Sequence, residues 1–377
     1  MMQTARLMLL ALPLVLLGGC GESREWTEII ESAKAAQAAG EAEQAEIEFN
    51  AALEVAERRG EAENVVASLN YLGAFYSTTG RSDQGVEFFR RGAQARERIV
   101  GPDALELGLS YFNLGLHYQR LNRLDEARDY LERALGIRER ALGDEHPLIS
   151  EALNALGLVA YFQGDLEQAK SWLLRAVATM ELTELTMSPT LANGRTNLGQ
   201  VMAALGEYEP AVAQLRRAGM ILEQNFGSYS VRVARAKNNL GEVFARMGRT
   251  DDAEQQYLQA VEIYERLLTE EHPELMISVN NLGTIYRSQG RFDEAETMYQ
   301  RAIAHLEGLG PAAHTDLAAS LFNLGRVYAE MAQPEQAEPL FKRSLELYES
   351  TIGREHANTL LVREQYAQLL ERRDGSP

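Results

Sequence analysis

The chain has 377 residues, of which 45% are apolar, so it can bury a large core and is not a disordered segment. Its net charge of −18 excludes non-specific binding to nucleic acid, which requires basic surfaces. Because Cys20 is the only cysteine, an intrachain disulfide and a thiolate metal site are excluded as well. Ala, Leu and Glu dominate the composition, which favours helices throughout.

The N-terminal segment predicts a signal peptide. Arg6 provides a positive start, and an apolar run of 11 residues follows from Leu7 to Leu17. A helix that spans a bilayer needs about 20 apolar residues, so this run fits a signal segment better than a transmembrane helix. We therefore expect residues 1–19 to be cleaved from the mature protein.

The sequence LGGC at 17–20 resembles the lipobox of bacterial lipoproteins. In that family the cysteine sulfur receives a diacylglyceryl group, and the new amino group is often acylated, for example with palmitate. The resemblance implies that Cys20 is lipidated and that residues 20–25 tether the protein to a membrane. Gly21 stands where an Asp would favour the inner membrane, so we expect a bacterial envelope protein on the outer membrane, facing the periplasm. The alternative is an ordinary secretory signal in which the cysteine falls there by chance.

Two helical segments, Trp26–Ala39 and Glu41–Arg58, form the first predicted hairpin around Gly40. This hairpin departs from the units that follow it, because Glu31 replaces the glycine that marks each of them. The terminal units of a repeat array shield the apolar faces of their neighbours. We therefore expect residues 26–58 to be a degenerate hairpin that caps the N-terminal end.

A Leu-Gly pair recurs at a constant interval of 42 residues through most of the chain. The glycines are Gly73, Gly115, Gly157, Gly199, Gly241, Gly283 and Gly325. One further step reaches Ala367, a small residue in the same role. A constant interval predicts repeated copies of one structural unit, so we expect seven repeats across residues 59–354.

Each repeat is predicted to hold two antiparallel helices. The second helix carries small, large and small residues at steps of four and three, such as Ala127, Leu131 and Ala134, which share one face. Small residues let the two helices approach closely, and we expect the large ones to fill gaps between neighbouring repeats. Turns such as QGDLEQA at 163–169 combine a glycine that ends the first helix with acidic residues that start the second.

This pattern resembles the tetratricopeptide repeat over about residues 25–373. The usual period of that repeat is about 34 residues. A period of 42 resembles the longer repeats of kinesin light chains. The resemblance implies an all-α fold, an α-solenoid wound into a right-handed superhelix of about eight hairpins. Residues 355–373 would add a C-terminal capping helix, and 374–377 a short tail.

The links between repeats carry residues that begin and end helices. We expect Pro147, Pro189 and Pro273 to be first helical residues, where a missing N–H is harmless. His146 and His272 precede two of these prolines. We interpret these His-Pro pairs as loops or caps, since unpaired histidines are weak metal ligands.

In tetratricopeptide arrays the first helices line the concave face, and a residue two positions before the motif glycine often holds an extended peptide. In this chain that position is occupied by Asn113, Asn197, Asn239, Asn281 and Asn323. Asn is a weak helix former, so its recurrence requires a reason. Two interpretations remain open: the amides bind the backbone of a ligand, or each bonds to the adjacent repeat and sets the array's geometry. Tyr71 and Ala155 depart from the pattern.

Four arginines are expected in the same groove, namely Arg120, Arg246, Arg287 and Arg326. Such a groove on an acidic chain favours a peptide of acidic character or a free carboxylate, because the guanidinium fork matches a carboxylate. The alternative is pairing with surface acids one helical turn away. Four tyrosines, Tyr76, Tyr118, Tyr286 and Tyr328, are expected to pack between helices.

The sequence holds no nucleophile elbow, phosphate loop, HExxH pair or dinucleotide-binding turn. We therefore predict a protein that is not an enzyme and needs no cofactor or metal. The predicted function is an envelope-anchored scaffold that binds a protein or extended peptide in its concave groove and the membrane through acylated Cys20. The alternative is a non-catalytic accessory or regulatory subunit of an envelope enzyme complex, in cell-wall or secretion machinery.

Overall fold

A computed structural model describes residues 24–182, 187–267 and 272–374. In these residues the secondary structure consists of 17 α-helices and one short 3₁₀ helix, Gly310–Ala313, with no strand. The predicted signal peptide and Cys20 lie outside the described residues. The helices form two compact units, an N-terminal unit of α1–α8 and a C-terminal unit of α9–α17.

The N-terminal unit consists of helices that pack in consecutive pairs, each pair an antiparallel hairpin. Each hairpin also packs on the next, so the unit is a stack. Its helices are α1 (Arg24–Ala38), α2 (Ala42–Arg59), α3 (Ala62–Thr78), α4 (Ser82–Val100), α5 (Leu105–Arg120), α6 (Leu124–Leu142), α7 (Pro147–Phe162) and α8 (Leu166–Glu181).

The C-terminal unit repeats this arrangement and ends in a single helix, α17, that packs on the last hairpin. Its helices are α9 (Pro189–Ala204), α10 (Tyr208–Phe226), α11 (Val231–Arg246), α12 (Thr250–Leu267), α13 (Pro273–Ser288), α14 (Phe292–Gly308), α15 (His314–Glu330), α16 (Pro334–Thr351) and α17 (Ala357–Asp374). The predicted fold class, an all-α solenoid of eight hairpins with a C-terminal capping helix, is confirmed.

Local sequence signals set the helix boundaries. Helices α7, α9 and α13 begin at Pro147, Pro189 and Pro273, as expected. Inside the hairpins, Gly164 and Gly290 adopt φ values of 81° and 74°, a left-handed conformation that ends the first helix and is nearly closed to other residues. The predicted cap role of His146 and His272 is confirmed, because each Nδ1 accepts a hydrogen bond from the backbone N–H two residues later.

The motif glycines form notches that receive a large side chain from the second helix of the same hairpin. A Cβ on Gly157 would lie 2.5 Å from Cγ of Leu173, and a Cβ on Gly115 would lie 2.6 Å from Cγ of Leu131. The expectation that the large residues fill gaps between neighbouring repeats is therefore incomplete. They first fill the space that the glycine leaves in their own hairpin, which brings the two helices close together.

A second device closes four of the hairpins and was not anticipated from the sequence. The residue just before the second helix is Arg, and its guanidinium stacks over an aromatic ring in the last turn of the first helix. The pairs are Arg81 over Tyr76, Arg123 over Tyr118, Arg249 over Phe244 and Arg291 over Tyr286, with the guanidinium carbon 4.0–4.8 Å from the ring centroid. Each such contact contributes roughly 0.5–1 kcal/mol at an exposed site.

Ion pairs join the second helices of successive hairpins. An Arg on one second helix pairs with a Glu 36 residues earlier on the preceding second helix. The pairs are Arg175–Glu139 at 2.6 Å, Arg301–Glu265 at 2.7 Å and Arg343–Glu307 at 2.6 Å. These side chains are about one-third to one-half exposed, so each pair contributes only about 0.2–1 kcal/mol.

Both terminal helices shield their neighbours. In α1, Trp26 is buried and its indole N–H donates to Ser68 Oγ of α3 at 2.8 Å. In α17, Val362 and Leu369 are buried, whereas Ala367, at the position of the motif glycine, and Glu364, three residues earlier, are exposed. None of the helices in the described ranges is both long enough and apolar enough to span a bilayer.

Candidate functional site

All five predicted asparagines lie on first helices: Asn113 on α5, Asn197 on α9, Asn239 on α11, Asn281 on α13 and Asn323 on α15. Four of them therefore follow one another through the C-terminal unit, and the N-terminal unit holds one. Asn197 is buried at 6% exposure, and the other four are half-buried. An extended ligand on this face would reach Asn239, Asn281 and Asn323 more readily than Asn197.

The asparagines differ in their hydrogen bonds. Asn281 Nδ2 donates to Asn238 Oδ1 of the preceding repeat at 3.2 Å, so its amide is partly engaged in joining two first helices. Within the described part of the chain, the side chains of Asn113, Asn239 and Asn323 have no hydrogen-bond partner. The packing interpretation thus fits Asn281, and these other three amides remain available to a ligand.

Further hydrogen bonds between the first helices of successive repeats come from the residue before each of two predicted asparagines. Asn238 Oδ1 also accepts from Ser278 Oγ at 3.1 Å, and Asn280 Nδ2 donates to Ser320 Oγ at 3.0 Å. Both pairs span 40 residues, so they are the same contact in successive repeats. The recurring Asn-Asn pairs and the serines 40 residues later were the signal that could have revealed it.

The four predicted arginines are in four different situations. Arg246 pairs with Glu242 one turn earlier at 2.6 Å, which is the pairing with a surface acid that we considered as the alternative. Arg287 pairs instead across the repeats with Glu330 at 2.5 Å. Arg120 has no acidic partner among the described residues and lies against the ring of His117. Arg326 lies 5.7 Å from the ring centroid of Phe322.

His117 is held as a neutral imidazole. Its ring stacks on Phe89 with the centroids 3.8 Å apart. Burial and, to a smaller extent, the nearby charge of Arg120 lower the pKa of His117 to about 3. A group that loses its proton at so low a pH is uncharged near neutral pH, so we regard His117 as a packing residue.

Positive charge concentrates on α11, although the chain is acidic overall. The helix carries Arg232, Arg235, Lys237 and Arg246 against the single acid Glu242. Arg235 forms an ion pair with Glu274 on α13, and Lys237 donates to Gln259 on α12 at 2.9 Å. The middle of the C-terminal unit therefore presents a basic first helix between more acidic elements.

The predicted packing role fits the four tyrosines, which are all at most 9% exposed. Two of their hydroxyls donate to a Glu of the preceding hairpin: Tyr76 to Glu46 at 2.6 Å and Tyr328 to Glu296 at 2.7 Å. No group of three or more His, Cys, Asp or Glu in the described ranges is placed to hold a metal ion.

Stacked hairpins with a face of repeated polar residues define the chain as a helical-repeat protein. A sequence model described as tetratricopeptide repeat matches residues 64–140, 106–182, 232–308 and 314–376. A second model with the same description matches residues 196–267 and 280–337. The chain belongs to the tetratricopeptide repeat family. No curated protein sequence matches it.

Solved structures with the same architecture include BtubC (BKLC) from P. vanneervenii, which is 25% identical, with a TM-score of 0.53 over 61% of this chain and 92% of that one. Aspartyl phosphate phosphatase F from Bacillus subtilis is 14% identical, with a TM-score of 0.58 over 83% and 76%. A Rap protein complexed with competence and sporulation factor is 16% identical, with a TM-score of 0.52 over 93% and 99%. The last two resemblances show the fold alone.

Proposed function

We propose that the protein is a non-catalytic scaffold that holds an extended segment of a protein partner against the first helices of its C-terminal unit. One observation carries this proposal. Asn239 and Asn323 occupy the same repeat position, are half-buried, and have no side-chain partner in the described residues. A side-chain amide offers both a donor and an acceptor, which is the pair that a peptide group requires.

The family supports this proposal, because tetratricopeptide repeats are generally protein-interaction scaffolds. The similar Rap protein was solved in complex with competence and sporulation factor, so a related array holds a partner. Main-chain recognition by a row of amides gives affinity with little dependence on ligand sequence. Specificity must then come from the charged residues around the amides, as in other modes of extended-peptide recognition.

We further propose that the scaffold is attached to a bacterial membrane through lipid on Cys20. Its proposed location is the outer membrane, on the side that faces the periplasm. The LGGC sequence at 17–20 supports this, together with its position after an apolar segment of signal-peptide length. Helix α1 begins at Arg24, so three residues separate the anchor from the folded array. Two or more acyl chains give stable attachment where one is marginal.

The groove proposal is tested by in-cell crosslinking and purification of the chain, with Asn239→Ala and Asn323→Ala combined. The double variant should recover the crosslinked partner several-fold less well, because two amide contacts are lost without disturbing any hydrogen bond within the array. Asn50→Ala is the matched control, since Asn50 is an exposed mid-helix asparagine on the second helix α2.

Equal recovery from the double variant and the control would refute the binding role of the amides. A captured partner that is an envelope enzyme, with its activity altered when the scaffold is deleted, would favour an accessory subunit of that enzyme. A partner without catalytic activity would favour the plain scaffold.

The anchor is tested by metabolic labelling with an alkynyl palmitate. The wild-type chain should be labelled and sediment with membranes, and Cys20→Ser should be unlabelled and released from them. Labelling that persists in Cys20→Ser would contradict lipidation at this residue.

A further inference from the structure

One position of the repeat, eleven residues before the motif glycine, carries a histidine in four units of the array. These histidines are His146, His272, His314 and His356, which are four of the six in the chain. Two other units carry a serine at this position, Ser188 and Ser230. Except at His314, the position comes directly before a first helix, where the N-cap stands.

Three of these histidines cap their helices through the imidazole ring. In each, Nδ1 accepts a hydrogen bond from the backbone N–H two residues later. The donors are Leu148 for His146 at 3.2 Å, Glu274 for His272 at 3.3 Å and Asn358 for His356 at 3.2 Å. The caps open α7, α13 and α17. His314 differs because the 3₁₀ helix Gly310–Ala313 precedes it, so it is itself the first residue of α15.

A histidine cap depends on the charge of its ring, and a serine cap does not. Nδ1 accepts a hydrogen bond only while it carries no proton, and an imidazolium has two donors and no acceptor. A positive charge at the N-terminal end of a helix is also opposed by the helix dipole. Histidine typically changes its charge between about pH 5 and 8, whereas a serine hydroxyl keeps its acceptor throughout. Acidification should therefore release the three histidine caps and leave the serine caps of α9 and α11 in place.

In two joints, the residue that the cap holds also contacts the preceding hairpin. Arg138 of α6 donates to the carbonyl oxygen of Leu148 at 2.6 Å, so the N–H and the C=O of Leu148 are both held. The hydroxyl of Tyr264 in α12 donates to the carboxylate of Glu274 at 2.9 Å, and Arg235 of α11 pairs with the same carboxylate. Loss of the cap frees the backbone of the residue that makes these contacts, so it should loosen the joint between two hairpins.

The charged groups around His146 offer a protonated ring little compensation. They are Arg138 of α6, Asp144 and Glu145 of the link, Glu151 of α7 and Arg175 of α8. Glu151 lies 3.8 Å from Arg138. Asp144 lies 3.5 Å from Arg175. Glu145 is exposed, so water screens its attraction for a charged ring.

The carboxylates around His272 are already paired. The charged groups described there are Arg235 of α11, Glu262, Glu265 and Arg266 of α12, Glu274 of α13 and Arg301 of α14. Glu262 pairs with Arg266 at 2.8 Å. Glu265 pairs with Arg301 at 2.7 Å, and Glu274 pairs with Arg235.

The surroundings of His356 are similar. Glu349 of α16 pairs with Arg354 of the link at 3.3 Å and with Arg363 of α17 at 2.8 Å. Glu355, next to the histidine, is exposed. In the described part of all three joints, no carboxylate is both buried and unpaired, so the loss of a cap is not offset by a new buried ion pair.

We propose that His146, His272 and His356 form a pH-sensitive device, in which protonation releases the N-caps of α7, α13 and α17 and loosens the joints before these helices. The joints before α9 and α11, which serine caps, do not respond. The capped state excludes protons that the open state takes up. The contribution of the caps is therefore present above the range in which histidine titrates and is lost as the pH falls through it.

The device has a consequence for the groove. Helix α13 carries Asn281 and lies between α11 and α15 in the C-terminal unit, so a loose joint before α13 should weaken a partner that contacts all three helices. This consequence rests on the proposed function, whereas the device itself does not.

The test compares the amides at the helix starts within one molecule. Hydrogen exchange of the full chain is measured by NMR at pH 7 and pH 5 and divided by the intrinsic rate at each pH. We expect the amides of Leu148, Glu274 and Asn358 to lose protection by about fivefold, which corresponds to a cap of about 1 kcal/mol. The amides of Leu191 and Val233, which donate to Ser188 and Ser230, should keep their protection.

A triple variant removes the titrating groups and keeps the caps. It combines His146→Ser, His272→Ser and His356→Ser, and it should retain the protection of all three amides at pH 5. Serine suits this place, because Ser188 caps a helix that begins with proline and accepts from Leu191 N–H at 3.1 Å. His314→Ser is the matched control, since it changes a histidine at the same repeat position that is not a cap. His117 does not respond in this range, because burial lowers its pKa to about 3.

Equal pH responses of the histidine-capped and serine-capped amides in the wild-type chain would overturn the device, and this comparison requires no variant. A response that persists in the triple serine variant would overturn it as well. The device and the scaffold function can fail separately. If the amides respond as expected but partner capture is the same at pH 5 and pH 7, the device stands and only its consequence for the groove is removed.

Discussion

Substitution of Gly157 tests how closely the two helices of a hairpin must approach each other. Substitution to Ala would place a Cβ 2.5 Å from Cγ of Leu173 and 3.3 Å from the carbonyl oxygen of Ala169. Carbon atoms pack best at about 3.5–4.0 Å, so about 1 Å of new space must open between α7 and α8. Leu173 has no exposed surface, so its side chain cannot move into solvent to make that space.

The expected effect is a net loss of stability. Overpacking of a well-filled core costs about 1–3 kcal/mol, and the rigid surroundings of Gly157 place it near the upper value. Replacement of Gly by Ala within a helix returns about 1 kcal/mol. Gly157→Ala should therefore lower the free energy of unfolding by about 2 kcal/mol.

Gly219→Ala is the matched control, because Gly219 lies within α10 and a Cβ there would meet no atom within 4 Å. This variant should be stabilised by about 0.5–1 kcal/mol. Urea unfolding followed by circular dichroism measures both, and hydrogen exchange of α7 and α8 shows whether the loss is local, as expected for a repeat array. Equal stabilisation by the two substitutions would refute the close-approach argument.

Three further predictions concern polar contacts between helices. Hydrogen bonds from Arg81 lower the pKa of Glu46, so wild type should be more stable than Glu46→Gln above pH 4.5 and should lose this advantage as the pH falls further. Thermal unfolding measured across pH tests this, and an advantage that stays constant with pH would contradict it. Arg138 is 2% exposed at a position where the five following repeats carry Met, Leu or Tyr, so Arg138→Leu should cost less than about 1 kcal/mol and Arg138→Ala about 3 kcal/mol, with equal losses arguing against it. Asn238→Ala should cost about 1 kcal/mol or more in urea unfolding, because it removes the hydrogen bonds from Ser278 and Asn281, whereas a gain would show that helix propensity outweighs these bonds.

The repeat period made most of the fold predictable. One interval in the sequence corresponds to one hairpin in space, so the 42-residue recurrence of the motif glycines fixed the number and order of the hairpins. The helix boundaries were predictable from local residue types, since proline starts a helix and glycine with positive φ ends one. Such signals act within a few residues, and a single sequence displays them directly.

The contacts between repeats could not be predicted in the same way. Asn238 meets Ser278, and Arg287 meets Glu330, at separations of 40 and 43 residues. These separations depend on the offset between neighbouring helices, which the period alone does not determine. An arginine in a groove therefore has several possible acidic partners, and only the packed structure distinguishes the paired Arg287 from the unpaired Arg326.

The succession of half-buried asparagines on α11, α13 and α15 has a consequence for any chain that lies across them. Packed helices are spaced by about 8–10 Å, and a polyproline-type strand advances about 3.1 Å per residue, so three residues cover one step. Such a strand completes one turn in three residues and presents the same side to each amide. Successive asparagines would then contact the partner at intervals of three residues. The partners should therefore carry small or solvent-directed residues at every third position.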